Sequence, residues 1–481
     1  MDQAFSAAGL RYLAPEIALL LVAALSMFVH LFFRKRGQRL AGYATLAGFA
    51  LTAVILALTR TSRGEIFSGS LTVDPFSLYF KWIFLVSGAL AVFLSFRFFN
   101  IEKSEPGEIY YLLPLTLIGM MASASSVDLI SSYVAFELFA IPSYVLAGIF
   151  KKERRSAEAG IKYFFLGTLS SGIMLLGMAL VFGLSGETRY AAIAQSLAGA
   201  NSPIALTGMI LFFVGLFFKA AFVPFHMWAP DVYEGAPTPL VVFLSTAPKA
   251  AVFAILIRLM VTVFGRFEVQ WSLVFQVLAL LTMFWGNIAA LIQKNIKRLM
   301  AYSSIAHAGY IAIGLAAWGE PARAAVLFYL AVYVVMNAAA FGMILLRRKN
   351  GTFGEEVEDM RGLAGTSPLA AACLLVLLLS LTGIPPTAGF MGKYFLFAAA
   401  IEKKMYILAA AGALNSVISL FYYFRIGRAM FMEEPSPGPA ASYRRPAGVE
   451  TFLALAALVL LLWGILPALL ADAAAASVLA K

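Results

Sequence analysis

Five of the charged side chains that lie inside long apolar stretches of the sequence could do chemistry there: Glu137, Lys162, Lys219, Lys249 and Lys393. Lys219 and Lys249 flank the proline-containing segment AAFVPFHMWAPDVYEGAPTP, and Lys393 ends a second one, GIPPTAGFMGK. A charged side chain at the centre of a bilayer costs about 2.5–3.5 kcal/mol unless it reaches the interface or finds a partner. One carboxylate neutralises one lysine, so an ion pair with Glu137 leaves the other lysines unexplained.

These residue types can transfer protons. A solvated lysine has a pKa of about 10.4 and keeps its proton at neutral pH. Burial disfavours the charged form and a nearby carboxylate favours it, so a buried lysine that loses its acidic partner becomes a proton donor. Lys162 lies near one end of its apolar stretch, where a side chain that simply reaches the interface explains it equally well.

His226 and His307 can join such a chain, because histidine changes charge near physiological pH. His226 follows the proline of the first segment, and His307 lies in the middle of AYSSIAHAGYIAIG. A histidine that only packs between helices is an equally good interpretation of each. The apolar stretches contain no acidic cluster for Na⁺ or Ca²⁺, and the sequence has no glycine-rich phosphate loop.

The composition indicates that these charges lie in a membrane. The 481 residues are 62% hydrophobic and 13% charged, with a mean hydropathy of +0.87, whereas soluble domains are about 45–50% apolar. The formal charge of +11 is concentrated in short loops, which is the positive-inside pattern and excludes a nucleic-acid partner. The single cysteine, Cys373, excludes disulfides and cysteine-ligated iron–sulfur clusters within one chain.

We therefore predict an all-α polytopic membrane protein with about fourteen transmembrane helices. The odd-numbered loops, such as RKRGQR and KKERR, are the more basic ones, which predicts that they are cytoplasmic and that both termini lie on the outer side. The first apolar stretch has no basic region before it, so we expect it to be kept as a span. The predicted spans are 15–33, 40–59, 75–98, 110–126, 128–150, 158–184, 203–228, 238–264, 271–292, 296–318, 322–346, 367–397, 404–428 and 450–471.

A weak internal repeat divides the sequence. Spans four to eight and nine to thirteen form blocks of similar length, each with a proline break in its fourth span. Because each block has an odd number of spans, the second copy must be inverted, and paired interrupted spans indicate a transport site. Prolines that only kink helices are the alternative. The predicted division is 1–105, an N-terminal three-helix segment; 106–265 and 266–430, the two five-helix repeats; and 431–481, a loop and the last helix.

Other charges have simpler interpretations. Lys81, Arg258 and Arg425 lie close enough to the ends of their spans for their side chains to reach the interface. Asp231 and Glu234 lie in a tight loop, where we expect capping or turn formation.

Three segments carry a resemblance to a known family: KAAFVPFHMWAPDVYEGAPTPLVVFLSTAPKAA, IKRLMAYSSIAHAGY and LTGIPPTAGFMGKYF. They resemble the antiporter-like membrane subunits of respiratory complex I and of the related multi-subunit cation/proton antiporters. The likeness covers essentially the whole chain, and PFHMWAPDVYEGAPTP is most similar to the subunit N branch. The resemblance implies two inverted five-helix bundles with broken seventh and twelfth helices.

The family also implies roles for the charged residues. Glu137 of the fifth span would pair with Lys219 of the seventh, and Lys162 and Lys249 would be the lysines of the sixth and eighth. Lys393 would be the residue of the twelfth span, a position that is typically Glu in subunit M. The resemblance strengthens the functional interpretation of Lys162 and His226, and that of His307 less.

The function implied is proton translocation coupled to quinone reduction in other subunits. A proton would pass from the cytoplasm to Lys249, with Lys162 or His307 as relays, then to Lys393 and out, while the Glu137–Lys219 pair switches. This chain would bind no cofactor; NADH, FMN, iron–sulfur clusters and quinone would belong to partner subunits. The partners would be the neighbouring subunit M, small membrane subunits and the lipid of a bacterial inner membrane.

Two alternatives remain. A cation/proton antiporter subunit would work without a redox partner, and central membrane acids, of which Glu137 is the only one, would favour it. A passive scaffold would use its buried charges only as structural pairs.

Overall fold

The computed structural model describes residues 7–102, 106–197, 203–349, 352–434 and 447–479. The loop predicted before the last span therefore lies partly outside the described residues. The chain is almost entirely helical, and the helices are α1 (Ala7–Tyr12), α2 (Ala14–Phe32), α3 (Arg34–Leu58), α4 (Pro75–Glu102), α5 (Ile109–Ser125), α6 (Leu129–Ala147), α7 (Arg154–Ser185), α8 (Tyr190–Ser196), α9 (Pro203–Ala220), α10 (Trp228–Gly235), α11 (Thr238–Thr262), α12 (Glu268–Leu291), α13 (Ile296–Ala317), α14 (Glu320–Gly342), α15 (Leu363–Thr366), α16 (Pro368–Thr382), α17 (Ala388–Glu402), α18 (Tyr406–Met432), α19 (Ala447–Ile465) and α20 (Ala468–Ala476).

The predicted fold class is confirmed. Within the described ranges, 12 helices are long and apolar enough to cross a membrane, and α5 and α16 are shorter apolar helices, which is consistent with the expected count of about fourteen. Two short antiparallel hairpins lie in loops, β1 (Gly64–Ile66) with β2 (Leu71–Val73) and β3 (Arg348–Lys349) with β4 (Thr352–Phe353). The sequence did not predict these hairpins, because each strand is only two or three residues long.

Helix α11 forms the centre of the protein. All of its most apolar 18-residue window is buried, against 94% for α13 and 83% for α14, whereas only 33–39% of the corresponding window is buried in α2, α3 and α19. α11 packs against α4, α5, α9 and α14. A side chain on α11 is therefore surrounded by protein on all sides and does not face lipid.

Both predicted helix breaks are present. α9 ends at Ala220, Ala221 takes a positive φ of 62°, and the chain returns to helix at Trp228. α16 ends at Thr382, Gly383 takes a φ of 88°, and α17 begins at Ala388. A left-handed residue ends a helix, and the prolines that follow cannot donate a backbone hydrogen bond to continue it. Each break leaves backbone carbonyls free for other partners.

The two predicted blocks have the same order of helices. Helices α5, α6, α7, the broken α9–α10 and α11 are followed by α12, α13, α14, the broken α16–α17 and α18. The division at residues 106–265 and 266–430 stays a prediction.

The expectation that Lys81 and Arg258 reach the interface is wrong. Lys81 is 1% exposed and its Nζ lies 2.7 Å from the Glu16 carboxylate. Arg258 is 2% exposed and donates to Asp74 at 2.9 and 3.1 Å and to the Ala124 carbonyl at 2.7 and 3.0 Å. Each cation has an acid at the same depth on a different element, which spacing along one span does not reveal.

Arg425 lies in the C-terminal part of α18, where it donates to the backbone carbonyls of Leu291, at 2.9 Å, and of Gln293. Leu291 is the last residue of α12, so the guanidinium binds a carbonyl that has no partner within that helix.

Close packing of α7 on α9 gives a first prediction. A Cβ at Gly177 would lie 2.3 Å from the Phe212 nitrogen and 2.6 Å from the Gly208 oxygen, both backbone atoms that cannot move away independently. Gly177→Ala should destabilise the protein by about 1–3 kcal/mol, as overpacking does. The thermal midpoint of the purified complex and the amount of the subunit in membranes would be measured, and both should fall.

Gly172 of the same helix is the matched control, because nothing lies within 4 Å of its added Cβ. Gly172→Ala should leave the midpoint unchanged or raise it, since alanine favours the helix by about 0.5–1 kcal/mol. Equal midpoints for the two variants would contradict this account of the α7–α9 packing.

Candidate functional site

Lys249 lies on α11 at the centre of the protein, where it is 2% exposed. Its ammonium donates to the Ser304 carbonyl at 3.0 Å and also to the Ser304 hydroxyl. Tyr333 of α14 donates to the same hydroxyl at 2.9 Å. No carboxylate among the described residues pairs with Lys249, so hydroxyl and carbonyl dipoles alone solvate this amine.

His307 lies one helical turn after Ser304 on α13 and is 1% exposed. Its Nδ1 is 2.7 Å from the Tyr329 hydroxyl, and its Nε2 is 3.3 Å from the Tyr423 hydroxyl, which also contacts Ser303. Each ring nitrogen donates or accepts according to the tautomer, so the imidazole can take a proton on one side and release it on the other.

Lys393 lies on α17 just after the second break and is 3% exposed. It donates to the Thr382 carbonyl at 2.8 Å and to the Leu381 carbonyl at 3.2 Å, both at the end of α16. Its Nζ also lies 3.2 Å from the Ser416 hydroxyl and 4.2 Å from the centre of the Tyr310 ring. The break supplies the acceptors that an unbroken helix would have used for its own hydrogen bonds.

These groups lead from α11 of the first block into the second block, and we call them the central row: Lys249, Ser304, His307, Tyr310 and Lys393. Ser304, His307 and Tyr310 follow one another at three-residue intervals along α13, so each is a neighbour of the next on the helix surface, and the rings of His307 and Tyr310 are 5.7 Å apart. The structure thus brings together three of the seven residues predicted for the site. The hydroxyls of Ser304 and Tyr310 were not among the predicted site residues, although the i, i+3 spacing of Ser304, His307 and Tyr310 indicated them.

Lys219 lies on α9, 1% exposed, immediately before the first break. Among the described residues its ammonium has no hydrogen-bond partner, and the rings of Tyr144 and Tyr163 each lie 4.3 Å from it. Glu137 is half-buried on α6 and accepts a hydrogen bond from Ser171 of α7. The Glu137–Lys219 pair implied by the resemblance is therefore open in this structure.

Lys162 lies away from the central row. Its side chain is 40% exposed and forms ion pairs of 2.7 Å with both Glu158 and Asp231. The three side chains line a cavity of about 230 Å³ together with Arg155, Ala159, Glu234, Gly235 and Arg298. No described contact joins Lys162 to Lys249, so a relay role for Lys162 stays a prediction.

The expectation that Asp231 and Glu234 cap or form a turn is wrong. Both lie in the short helix α10, whose first residue receives no side-chain cap. Arg298 of α13 donates to Asp231 at 2.8 Å and to Glu234 at 3.0 Å. Burial raises the pKa of the Asp231 carboxyl, but hydrogen bonds from Lys162 and Arg298 outweigh burial and lower it below the ordinary value.

His226 lies in the first break and is 8% exposed, with its ring 5.9 Å from that of Trp285. Its Nδ1 has no partner among the described residues, and none of its described contacts is to a lysine of the site. The structure therefore does not bring His226 into the central row. The described residues also contain no group of three or more His, Cys, Asp or Glu side chains that could hold a metal ion.

Comparison with known proteins decides the family. The family model described as NADH:quinone oxidoreductase/Mrp antiporter, TM matches residues 126–419. NADH-quinone oxidoreductase subunit N of Trichlorobacter lovleyi is 39% identical over 471 residues, covering 97% of this chain and 96% of that protein. The chain belongs to the NADH:quinone oxidoreductase/Mrp antiporter family, in its subunit N branch. The subunit N of Paramagnetospirillum magneticum is 37% identical over 96% of both chains.

Solved structures of this family share the fold. A chain of respiratory complex I from Thermus thermophilus superimposes with a TM-score of 0.81 at 33% identity, covering 96% of this chain and 99% of that one. A chain of the Mrp complex from Dietzia sp. has a TM-score of 0.85 at 22% identity, which shows the common fold alone. The family resemblance read from the three sequence segments is confirmed.

The ion pairs of Asp231 give a pH prediction. Because the folded-state pKa of Asp231 is lowered, its contribution to stability is present above the unfolded value of about 3.9 and is lost as the pH falls through the folded value. Asp231→Asn should lower the thermal midpoint of the complex at neutral pH, and the difference from wild type should shrink below about pH 4.

Glu158→Gln is the control, since Glu158 also pairs with Lys162 but its side chain is 53% exposed. An exposed i, i+4 pair contributes only about 0.3–0.5 kcal/mol, so this variant should change the midpoint little at any pH. A difference between Asp231→Asn and wild type that persists unchanged into acid would contradict the role of the Asp231 charge.

Proposed function

We propose that this chain is the proton-translocating membrane subunit of an NADH-quinone oxidoreductase complex, and that the central row carries the proton. This rests on the observation that Lys249 and Lys393, on either side of His307, are buried without a carboxylate partner among the described residues. Membership of the subunit N branch and the complex I chain from Thermus thermophilus support the assignment.

The route starts on the side of the basic loops and reaches Lys249 on α11. Lys249 passes a proton through the Ser304 hydroxyl to His307, and the tyrosine hydroxyls beside the imidazole keep it hydrogen-bonded in either tautomer. Tyr310 and Ser416 then lead to Lys393. From Lys393 the free carbonyls of the second break give the proton a polar path to the opposite side.

Burial of the two lysines favours transfer of their protons and disfavours holding them. An ammonium group buried without a counter-charge is less stable than one in water, so its proton is released readily to a neighbouring acceptor. Glu137 and Lys219 act as the switch, because a closed pair holds the Lys219 proton and an open pair changes the field at Lys249.

The chemistry of electron transfer belongs to other subunits. NADH, FMN, iron–sulfur clusters and quinone bind to partners, and subunit M and small membrane subunits are the neighbours in the membrane. The complex lies in a bacterial inner membrane, with both termini of this chain on the outer side, as the distribution of basic loops indicates.

Substitution of Lys249 tests this function. Proton transfer by a positioned side chain contributes about 10²–10⁴-fold to rate, so Lys249→Ala should nearly abolish translocation through this subunit. Protons moved per NADH oxidised would be measured in vesicles containing the whole complex, and the ratio should fall. Lys152→Ala, in an exposed loop, is the control and should keep the wild-type ratio. A normal ratio for Lys249→Ala in an intact complex contradicts the proposal.

Separate substitutions of Glu137 and Lys219 distinguish a pump from a scaffold. In a pump, Glu137→Ala and Lys219→Ala should assemble and lose proton movement coupled to NADH oxidation. In a scaffold, they should assemble poorly or pump normally. Lys219→Met keeps most of the buried volume, so a loss of pumping in this variant cannot be caused by a cavity.

An antiporter that works without a redox partner is tested in the same vesicles. Na⁺-driven proton exchange in the absence of NADH, retained by the isolated chain, would favour that alternative. Exchange that depends on NADH and not on Na⁺ supports a subunit of the oxidoreductase.

A further inference from the structure

Four aromatic rings surround the Lys219 ammonium. The ring centres of Tyr144 and Tyr163 lie 4.3 Å from Nζ, and those of Phe139 and Phe136 lie at 5.9 and 6.0 Å. All four distances are within the range over which a cation is attracted to the face of a ring. We call these four residues the aromatic cage. The proposed Glu137–Lys219 pairing gives these rings no role.

Ring packing and a hydrogen bond fix the position of Tyr163 in the aromatic cage. The ring of Tyr163 is stacked on Trp228 at 4.4 Å with an interplanar angle of 10°, and meets Tyr144 edge to face at 4.7 Å. Trp228 is itself fixed, because its indole nitrogen donates to the Phe218 carbonyl at 2.8 Å. Trp228 begins α10, so the first break places the support of the cage directly beside the lysine that precedes the break.

A glycine makes room for the second tyrosine. A Cβ at Gly167 would lie 2.3 Å from the Tyr144 hydroxyl oxygen and 2.6 Å from the adjacent ring carbon. Farther along the same two helices, Gly148 and Gly160 allow α6 and α7 to approach closely, since a Cβ on either would lie about 3 Å from the other's Cα. The position of the Tyr144 ring beside the ammonium thus depends on the absence of a side chain at Gly167 of α7.

The aromatic rings compensate for the lost hydration of the charged Lys219 side chain. The ammonium is 1% exposed and has no hydrogen-bond partner among the described residues, while Glu137 accepts from Ser171. A buried charge without partners would be strongly unfavourable, and cation–π attraction is strongest where the cation is desolvated. The ring faces attract the ammonium and have little attraction for a neutral amine, so the aromatic cage selects the protonated lysine.

We propose that the aromatic cage is a second binding position for the protonated Lys219 side chain, which holds it while Glu137 is released. Tyr144 and Tyr163 are then positioning residues for proton translocation. The switch has two built states, one in which the ammonium pairs with the carboxylate and one in which it lies between the rings. This inference rests on the proposed function, in which the Glu137–Lys219 pair opens and closes.

Graded fluorination of one ring tests the cage. Fluorine withdraws electron density from the ring face with little change in ring shape, so it weakens cation–π attraction while leaving packing nearly intact. Tyr163→Phe is the starting variant, because the Tyr163 hydroxyl is buried and has no partner among the described residues. Phenylalanines with one, two and three fluorines are then incorporated at position 163 in the whole complex.

Protons moved per NADH oxidised are expected to stay at the wild-type ratio for Tyr163→Phe, which keeps the ring face, and to fall stepwise with each fluorine. Tyr163→Leu, which removes the face, should lower the ratio to that of Lys219→Ala, because only the share carried by this subunit is lost. The same fluorinated series at Phe165, an exposed ring of α7 outside the cage, is the matched control and should show no trend.

A ratio that does not change across the fluorinated series at position 163 overturns the proposal, as does wild-type pumping by Tyr163→Leu. Lys219→Ala in the same assay distinguishes failure of the proposed function from failure of the aromatic cage alone. If Lys219→Ala pumps normally, the proposed function of the switch fails. If Lys219→Ala loses pumping but fluorination has no effect, the switch stands and only the aromatic cage fails.

Discussion

The desolvation of amines in the protein interior is the constraint on which the rest of this structure depends. Four lysines lie in the interior with at most 3% exposure, and only Lys81 has a paired carboxylate among the described residues. The other three are Lys219, Lys249 and Lys393. Such groups are tolerated only where hydroxyls, carbonyls or ring faces replace part of the lost hydration. Each lysine has a different substitute: a serine for Lys249, helix-end carbonyls for Lys393 and aromatic rings for Lys219.

The two helix breaks occupy corresponding positions but serve their lysines in different ways. In the second break, the carbonyls at the end of α16 accept from Lys393, which lies after the break. In the first break, Lys219 lies before the interruption, and the helix that follows contributes Trp228 behind Tyr163. One break thus solvates its lysine through polar backbone, and the other through the faces of side chains. The similar helix order of the two blocks therefore does not give them the same chemistry.

Sequence alone predicted the features that depend on one local signal. Apolar length predicted the helices, prolines predicted both breaks, and charges within apolar stretches indicated Lys219, Lys249 and Lys393. Contacts between distant elements were not predictable in this way. The acids that hold Lys81 and Arg258 lie on α2 and just before α4, and the cations that engage Asp231 lie on α7 and α13. Hydroxyls such as that of Ser304 were not predicted as part of the site. Serine occurs in helices without a functional role, and only the contacts of Ser304 in the folded protein indicate one.

Helix α10 has a mechanical consequence. Its first residue, Trp228, backs the tyrosine beside Lys219, while Asp231 and Glu234, within the next two turns, are bound by Arg298 from the other block. These ion-paired side chains are 27–32% exposed, so dissolved salt in the adjoining aqueous phase screens them. The ionic strength of that phase therefore modulates how strongly α10, which is eight residues long, is held to α13 of the other block.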